Sequence, residues 1–227
     1  MRIVINEHQM DLLQSMLIEA ALPEFSLQKL SQITSFAKRL AYCKQYLGPT
    51  IGAGTSRVVF QIDDNKVLKL AKNSKGIAQN EYEYEHYYPA NQDVLPQCYE
   101  ADENYTWIVS EYVLPAQEKD FEVVFHMPWE KFKGWIDRTY MQYAPFYVQS
   151  HIRPSMSKEE WLDSIENNDD IESFYYYMTN HGYEMIGDLK RIQNWGLAKR
   201  DYGPQLVLLD NGLSKEIFHQ HYAKFKL

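Results

Sequence analysis

Apolar positions along this chain run first at helical spacing, then in strict alternation, then at helical spacing again, and end in short apolar runs. Residues 2–5 read as a short strand. Asn6 with Gln9 reads as a helix cap, opening a segment that carries Met10, Leu13, Leu17 and Ala20 on one face and ends at Pro23. A second helix is expected from Ser26, with Leu27, Leu30, Ile33, Ala37, Leu40 and Ala41 on its apolar stripe. It stops at Gly48-Pro49, where glycine can cap and proline forbids continuation. The stripe is expected to brace the segment that follows.

Alternation then takes over. Val58, Phe60 and Ile62 predict one strand, Asp63-Asp64-Asn65 a turn, and Val67, Leu68 and Leu70 a second strand, with Gly52 and Gly54 in a tight turn ahead of them. An acidic helix is expected from about Gln79. Residues 94–98 and 107–113 read as further strands around the turn Asp102-Glu103-Asn104, and Leu114-Pro115 breaks the pattern. From 116 to 182 the spacing is helical. Pro128 opens a helix carrying Trp129, Phe132, Ile136 and Tyr140; Ser157 and Glu160 form a capping box ahead of Trp161, Leu162 and Ile165; Asp169 or Asp170 caps a third helix reaching Asn180. The last segment predicts a loop through Asp188 and Asn194, a hairpin turning at Asp201-Tyr202-Gly203-Pro204, and an apolar strand that delivers Asp210 at its mouth, just before Asn211-Gly212.

Composition narrows the function classes. With 227 residues, 45% hydrophobic and 24% charged, the chain is an ordinary globular sequence with room for one two-lobed domain and a short extension. The 18 tyrosines, spread along the chain, suit a thin core with many half-buried positions. A formal charge of −8 and the lack of a long basic run argue against nucleic acid as a partner. Cys43 and Cys98 are too few for a disulfide framework and lack metal-ligand spacing, so a reducing, cytosolic setting is expected. No window has the length of a signal peptide core or a membrane span, and no membrane association is expected.

The chemistry-bearing residues fall in an order that matters more than any one of them. A two-glycine turn comes first, with Thr55 and Ser56 beside it. Lys69 follows, in a strand among apolar neighbours, and Glu81 and Glu85 stand one helical turn apart beyond it. Exposed backbone N–H groups, a lysine and a carboxylate can converge on one phosphate group. Far along the chain come Asp188, Asn194 and Asp210, oxygen donors of the kind that phosphoryl transfer uses for magnesium and for the attacking hydroxyl.

From about Ile51 to Gly212 this order resembles the protein-kinase-like superfamily: glycine loop, strand lysine, helix glutamate, hinge, catalytic loop and metal-binding loop. Its size and skeleton are also similar to short kinase-like proteins of bacteriophages, for which the host cytoplasm would be the setting. The resemblance implies an α+β, two-lobed fold. The N-terminal helical extension would take residues 1–48, a five-stranded antiparallel small lobe 49–115, and a reduced helical large lobe 116–227. It implies ATP and Mg2+ as cofactors. Gly52, Gly54, Thr55 and Ser56 would lie over the phosphates and Lys69 on the α and β phosphates. Lys69 would be held by Glu81, with Glu85 the alternative on the same helix face. Glu111, Tyr112 and Val113 would form the hinge that receives adenine. Asp188 would be the base or hydroxyl-orienting group, Lys190 would lie near the transferred phosphate, and Asn194 and Asp210 would be metal ligands.

The sequence departs from the family in three places. Ile186-Gly187 stands where protein kinases have His-Arg, which removes the arginine that reads activation-loop phosphorylation. Asp188 to Asn194 is one residue longer than the family interval, so Gln193 competes for the ligand position; Asn194 is preferred because Trp195-Gly196 starts the next strand. The residues after Gly212 are too few for an activation segment or the helices that bind protein substrates. The expected activity is ATP- and magnesium-dependent phosphotransfer to a protein or small-molecule hydroxyl. The alternatives are a non-catalytic pseudokinase module that modulates a partner protein, and nucleotidyl transfer from ATP to a protein.

Overall fold

The computed structural model describes residues 24–143, 149, 152–181, 186–209, 217 and 220. The strand and helix expected between residues 2 and 23 lie outside them, as do Asp210, Asn211 and Gly212. The chain divides into two compact units, Met1–Pro49 and Thr50–Leu227.

In the first unit, the single helix expected from Ser26 is instead two, α1 (Leu27–Ser31) and α2 (Phe36–Leu47). The Ser26 hydroxyl accepts from the Lys29 N–H at 3.3 Å, as a cap should. The break follows from β-branched Ile33 and Thr34 ahead of Ser35, whose extended backbone (φ −95°, ψ 132°) starts a new helix. The Tyr42 hydroxyl accepts from the Ser26 N–H at 2.9 Å and so ties α2 back to the α1 cap.

The second unit is mixed α+β. Its five-stranded antiparallel sheet comprises β1 (Gly52–Ala53), β2 (Arg57–Gln61), β3 (Lys66–Ala71), β4 (Cys98–Ala101) and β5 (Trp107–Glu111), in the order β1-β2-β3-β5-β4. The central strand β3 is buried from Val67 to Ala71 on both faces, which places Lys69 in an apolar neighbourhood. Helix α3 (Ser74–Glu85) follows β3 and begins earlier than the expected start near Gln79. Asn73 sets the start, its side-chain oxygen accepting from the Lys75 and Gly76 N–H groups at 3.1 and 3.3 Å. The run 94–98, expected as a strand, is turn and irregular backbone as far as Gln97. Val94 and Leu95 spend their apolar surface in the main core, and pairing begins only at Cys98.

Leu114-Pro115, expected to break the pattern, forms a short strand β6 instead. It pairs with β7 (Trp195–Arg200), which pairs with β8 (Gly203–Leu208) in a three-stranded antiparallel sheet. Around this sheet stand α4 (Glu118–Val124), α5 (Trp129–Tyr143), α6 (Lys158–Glu166), α7 (Asp169–His181) and α8 (Ile186–Leu189). Helix α4 falls within the span read as helical, though no separate start was assigned to it; Gln117 and Asp120 cap it reciprocally. Ser157 and Glu160 cap α6 as expected. Asn168, rather than Asp169 or Asp170, caps α7, its side chain accepting from the Ile171 N–H at 2.8 Å.

The main core is aromatic rather than thin. Phe121, Phe125, Phe132, Trp135, Phe174 and Trp195 are each at most 3% exposed, and the Trp195 ring lies 5.0–6.1 Å from Phe121, Phe125, Phe132 and Phe174. Such contacts add about 0.5–1.5 kcal/mol per pair to their area burial. Tyrosine is mostly half-buried, as expected: among the described residues Tyr177 alone is buried, and Tyr88, Tyr99, Tyr176 and Tyr202 are exposed. No helix among the described residues is long and apolar enough to cross a membrane.

Close packing between α3 and the sheet is most acute at Gly76, where a Cβ would stand 2.2 Å from the Ser56 carbonyl oxygen and 3.1 Å from the Ala71 Cα. Gly76→Ala is therefore expected to destabilise the protein by about 1–3 kcal/mol despite alanine's better helix propensity. A urea unfolding midpoint equal to or above that of the native protein would contradict this packing.

Candidate functional site

The glycine turn is held by its neighbours and open on its outer side. The Gly54 N–H donates to the Arg57 carbonyl at 2.9 Å, the Lys72 ammonium to the Gly54 carbonyl at 2.6 Å, and the Asn73 side chain to the Thr55 carbonyl at 3.2 Å. Neither Gly52 nor Gly54 has a positive φ. A Cβ at Gly54 would meet nothing within 4 Å, and one at Gly52 would make ordinary contact with Val59 at 3.6 Å. The fold itself does not demand glycine here. What the two glycines provide is a bare backbone that another group can approach closely. Thr55 is exposed, whereas Ser56 is 7% exposed and donates its hydroxyl to Gln79 at 2.5 Å. The Ser56 side chain thus anchors the turn to α3.

Below the turn lies a cleft of about 250 Å³. Ile51, Gly52, Val59 and Val67 line one side, Lys69 stands among its walls, and Glu111, Tyr112, Val113 and Leu209 complete it.

The Lys69 ammonium donates to Glu83 at 2.6 Å and to the Leu209 carbonyl at 3.0 Å. Its partner is therefore neither Glu81 nor Glu85. Glu81 is exposed, and Glu85 accepts a hydrogen bond from the Tyr105 hydroxyl. The reason is the register set by Asn73: α3 buries Gly76, Gln79, Asn80 and Glu83, at helical spacing, and turns Glu81 and Glu85 outward. Glu83 is also gripped by Arg57, whose guanidinium lies 2.7 Å from the other carboxylate oxygen. Asn80 accepts from Arg57 at 3.3 Å and donates to the backbone carbonyls of Lys69 and Tyr105 at 3.3 and 2.9 Å. Burial alone would raise the Glu83 carboxyl, but the charges and hydrogen bonds of Arg57 and Lys69 overcome it and hold the group below its ordinary value.

The second half of the site is the loop at α8. Asp188 sits in α8, with Arg191 at 3.5 Å from its carboxylate. The interval to Asn194 is taken up by two successive tight turns, in which the Arg191 N–H donates to the Asp188 carbonyl at 3.1 Å and the Asn194 N–H to the Arg191 carbonyl at 2.9 Å. The extra residue is absorbed there. The Asn194 side-chain amide consequently reaches back to the Asp188 carbonyl at 3.1 Å, while Gln193 is exposed. Lys190 is held by both oxygens of Asp137 on α5, at 2.6 and 2.7 Å, a partner that sequence order does not indicate.

The two halves meet at Leu209. Its N–H donates to the Asn194 carbonyl at 2.8 Å, and its carbonyl accepts from Lys69. A hydrogen-bonded path thus runs from Lys69 through Leu209 and Asn194 to Asp188. Asp210 follows Leu209 directly but lies outside the described residues. Among the described residues no three His, Cys, Asp or Glu side chains gather to hold a metal. Magnesium takes oxygen ligands and needs few from protein when phosphates supply the rest, so the Asn194 amide oxygen fits such a donor set. No family model matches this chain, and no curated protein matches it.

Two expectations follow for Glu83. Replacing it by glutamine strands two buried cations and is expected to cost about 3–5 kcal/mol of stability, whereas Glu81→Gln should stay within about 0.5 kcal/mol. Because the folded carboxyl is depressed, its contribution is complete above the ordinary value of 4.5 and is lost as pH falls below that, through the folded value. The stability gap between the native protein and Glu83→Gln, followed by urea unfolding from pH 7 downward, should therefore close on acidification. A gap that is absent at pH 7, or that widens in acid, would contradict the assignment.

Proposed function

We propose that the chain is an ATP- and magnesium-dependent phosphotransferase with a two-lobed, protein-kinase-like fold, acting on a protein or small-molecule hydroxyl. The observation that carries this reading is the hydrogen-bonded path from Lys69 to Asp188, because it brings the cation of the glycine-turn cleft into register with the loop that bears the carboxylate. In this reading adenine enters against the 111–113 segment, and the phosphates run under the bare backbone of Gly52 and Gly54 toward Lys69. Glu83 holds that ammonium in place. Magnesium would be held by Asn194 and Asp210 and would neutralise charge developing on the phosphates. Asp188 orients the acceptor hydroxyl and takes its proton. Positioning and charge stabilisation are all that the protein must supply.

The grip of Asp137 on Lys190 favours a second reading, a nucleotide-binding module that does not transfer phosphate, since the expected phosphate contact is already neutralised. Nucleotidyl transfer is a third outcome, and the mass added to an acceptor distinguishes it from phosphotransfer.

The test is thermal unfolding with ATP, with and without magnesium, beside Asp210→Ala and Asp188→Ala. Saturation at ~100 times the dissociation constant should add about 2.7 kcal/mol of stability. A magnesium-dependent shift that Asp210→Ala loses and Asp188→Ala retains, with transfer abolished in Asp188→Ala, is the expected result. A shift without transfer in the native protein would leave the second reading, and no shift at saturating nucleotide would remove both transferase readings.

A further inference from the structure

Arg200, at the end of β7, lies behind the cleft rather than in it. Its guanidinium grips Glu111 with both terminal nitrogens, at 2.5 and 3.0 Å, and the two side chains are only 7% and 12% exposed. The same guanidinium donates to the Gln92 carbonyl at 2.9 and 3.3 Å. Glu111 is fixed from a third direction, since it accepts from the Gln97 N–H at 3.1 Å while its own N–H donates to the Gln97 carbonyl at 2.8 Å. On the far side of this segment is a second, polar cavity of about 570 Å³, lined by Arg200, Lys199, Tyr99 and Tyr202. Glu111 and Tyr112 belong to the walls of both cavities. The 111–113 segment is thus a thin partition.

The other end of β7 is Trp195, next to Asn194, and its indole N–H donates to the Leu189 carbonyl at 2.9 Å. One strand therefore joins the Asp188–Asn194 loop to the partition. A planar guanidinium that makes two parallel bonds to one carboxylate fixes direction as well as distance, which a lysine ammonium cannot do.

We infer that Arg200 is a positioning residue for the nucleotide cleft, holding the 111–113 partition at the depth that accepts a purine base and in register with the Asp188–Asn194 loop. The inference rests on the nucleotide reading proposed above. It makes a specific demand: the base-binding part of the cleft depends on Arg200, and the phosphate-binding part, built by the glycine turn, Lys69 and Glu83, does not.

The experiment measures the affinities of ATP, adenosine and inorganic triphosphate by titration calorimetry on the native protein, Arg200→Lys and Glu111→Gln. Arg200→Lys keeps the charge and loses the fork; Glu111→Gln keeps the shape and loses the charge, and serves as the second variant should the first not fold. The expected result is a loss on the order of tenfold for adenosine in either variant, with triphosphate affinity within about twofold of native. Unchanged adenosine affinity in a folded variant, or equal loss of adenosine and triphosphate, would overturn the role given to Arg200 while leaving nucleotide binding intact. A native protein that binds none of the three removes the reading beneath the inference, and the inference with it.

Discussion

Two cations converge on one carboxylate at the centre of the larger unit. Arg57 leaves the glycine turn, Lys69 stands in the central strand, and Glu83 lies on the buried face of α3. Burying these groups is unfavourable singly. Together they satisfy one another, and because they come from the turn, the sheet and the helix, none of the three elements can shift without stranding a charge. Asn80 and the Ser56–Gln79 pair extend the same polar seam along α3. With two positive charges against one negative, the cluster retains a positive excess beside the cleft, the sign that a phosphate-bearing ligand requires.

The aromatic core does for the second half what the charge cluster does for the first. Trp195 packs among Phe121, Phe132 and Phe174 and spends its indole N–H on Leu189, so the loop carrying Asp188 is pinned to the least deformable part of the molecule. Leu209 completes the arrangement by bonding to Asn194 on one side and to Lys69 on the other. Rigid supports for the Lys69 ammonium and for the Asp188 loop are what a reaction driven by positioning needs, and the phosphotransfer reading depends on them.

What the sequence made legible was local. Strands β2 and β3 were readable because alternation and the Asp63-Asp64-Asn65 turn are written in neighbouring residues, and α5 and α6 because Pro128 and the Ser157–Glu160 box mark their starts. Glu83 was not legible. It lies on a buried face made of polar residues, where no apolar stripe marks the inward side, and only the Asn73 cap counts out the correct turn. Val94 and Leu95 misled because a short apolar run looks alike in a strand and in a packed turn. Arg57, Asp137 and Arg200 escaped notice because their partners lie far along the chain, 89 residues apart for Arg200 and Glu111. Asn194 is preferred to Gln193 from the strand that follows; two tight turns separate it from Asp188, and its amide reaches back to the Asp188 carbonyl while Gln193 is exposed.

The central claim is that Lys69 faces the phosphates of a bound nucleotide. The most direct measurement is labelling with an acyl-phosphate derivative of ATP, which transfers its acyl group to a lysine beside the phosphates, followed by peptide mass spectrometry with and without excess ATP. The account predicts acylation at Lys69 that excess ATP suppresses. Labelling that spares Lys69, or that ATP does not suppress, would contradict it.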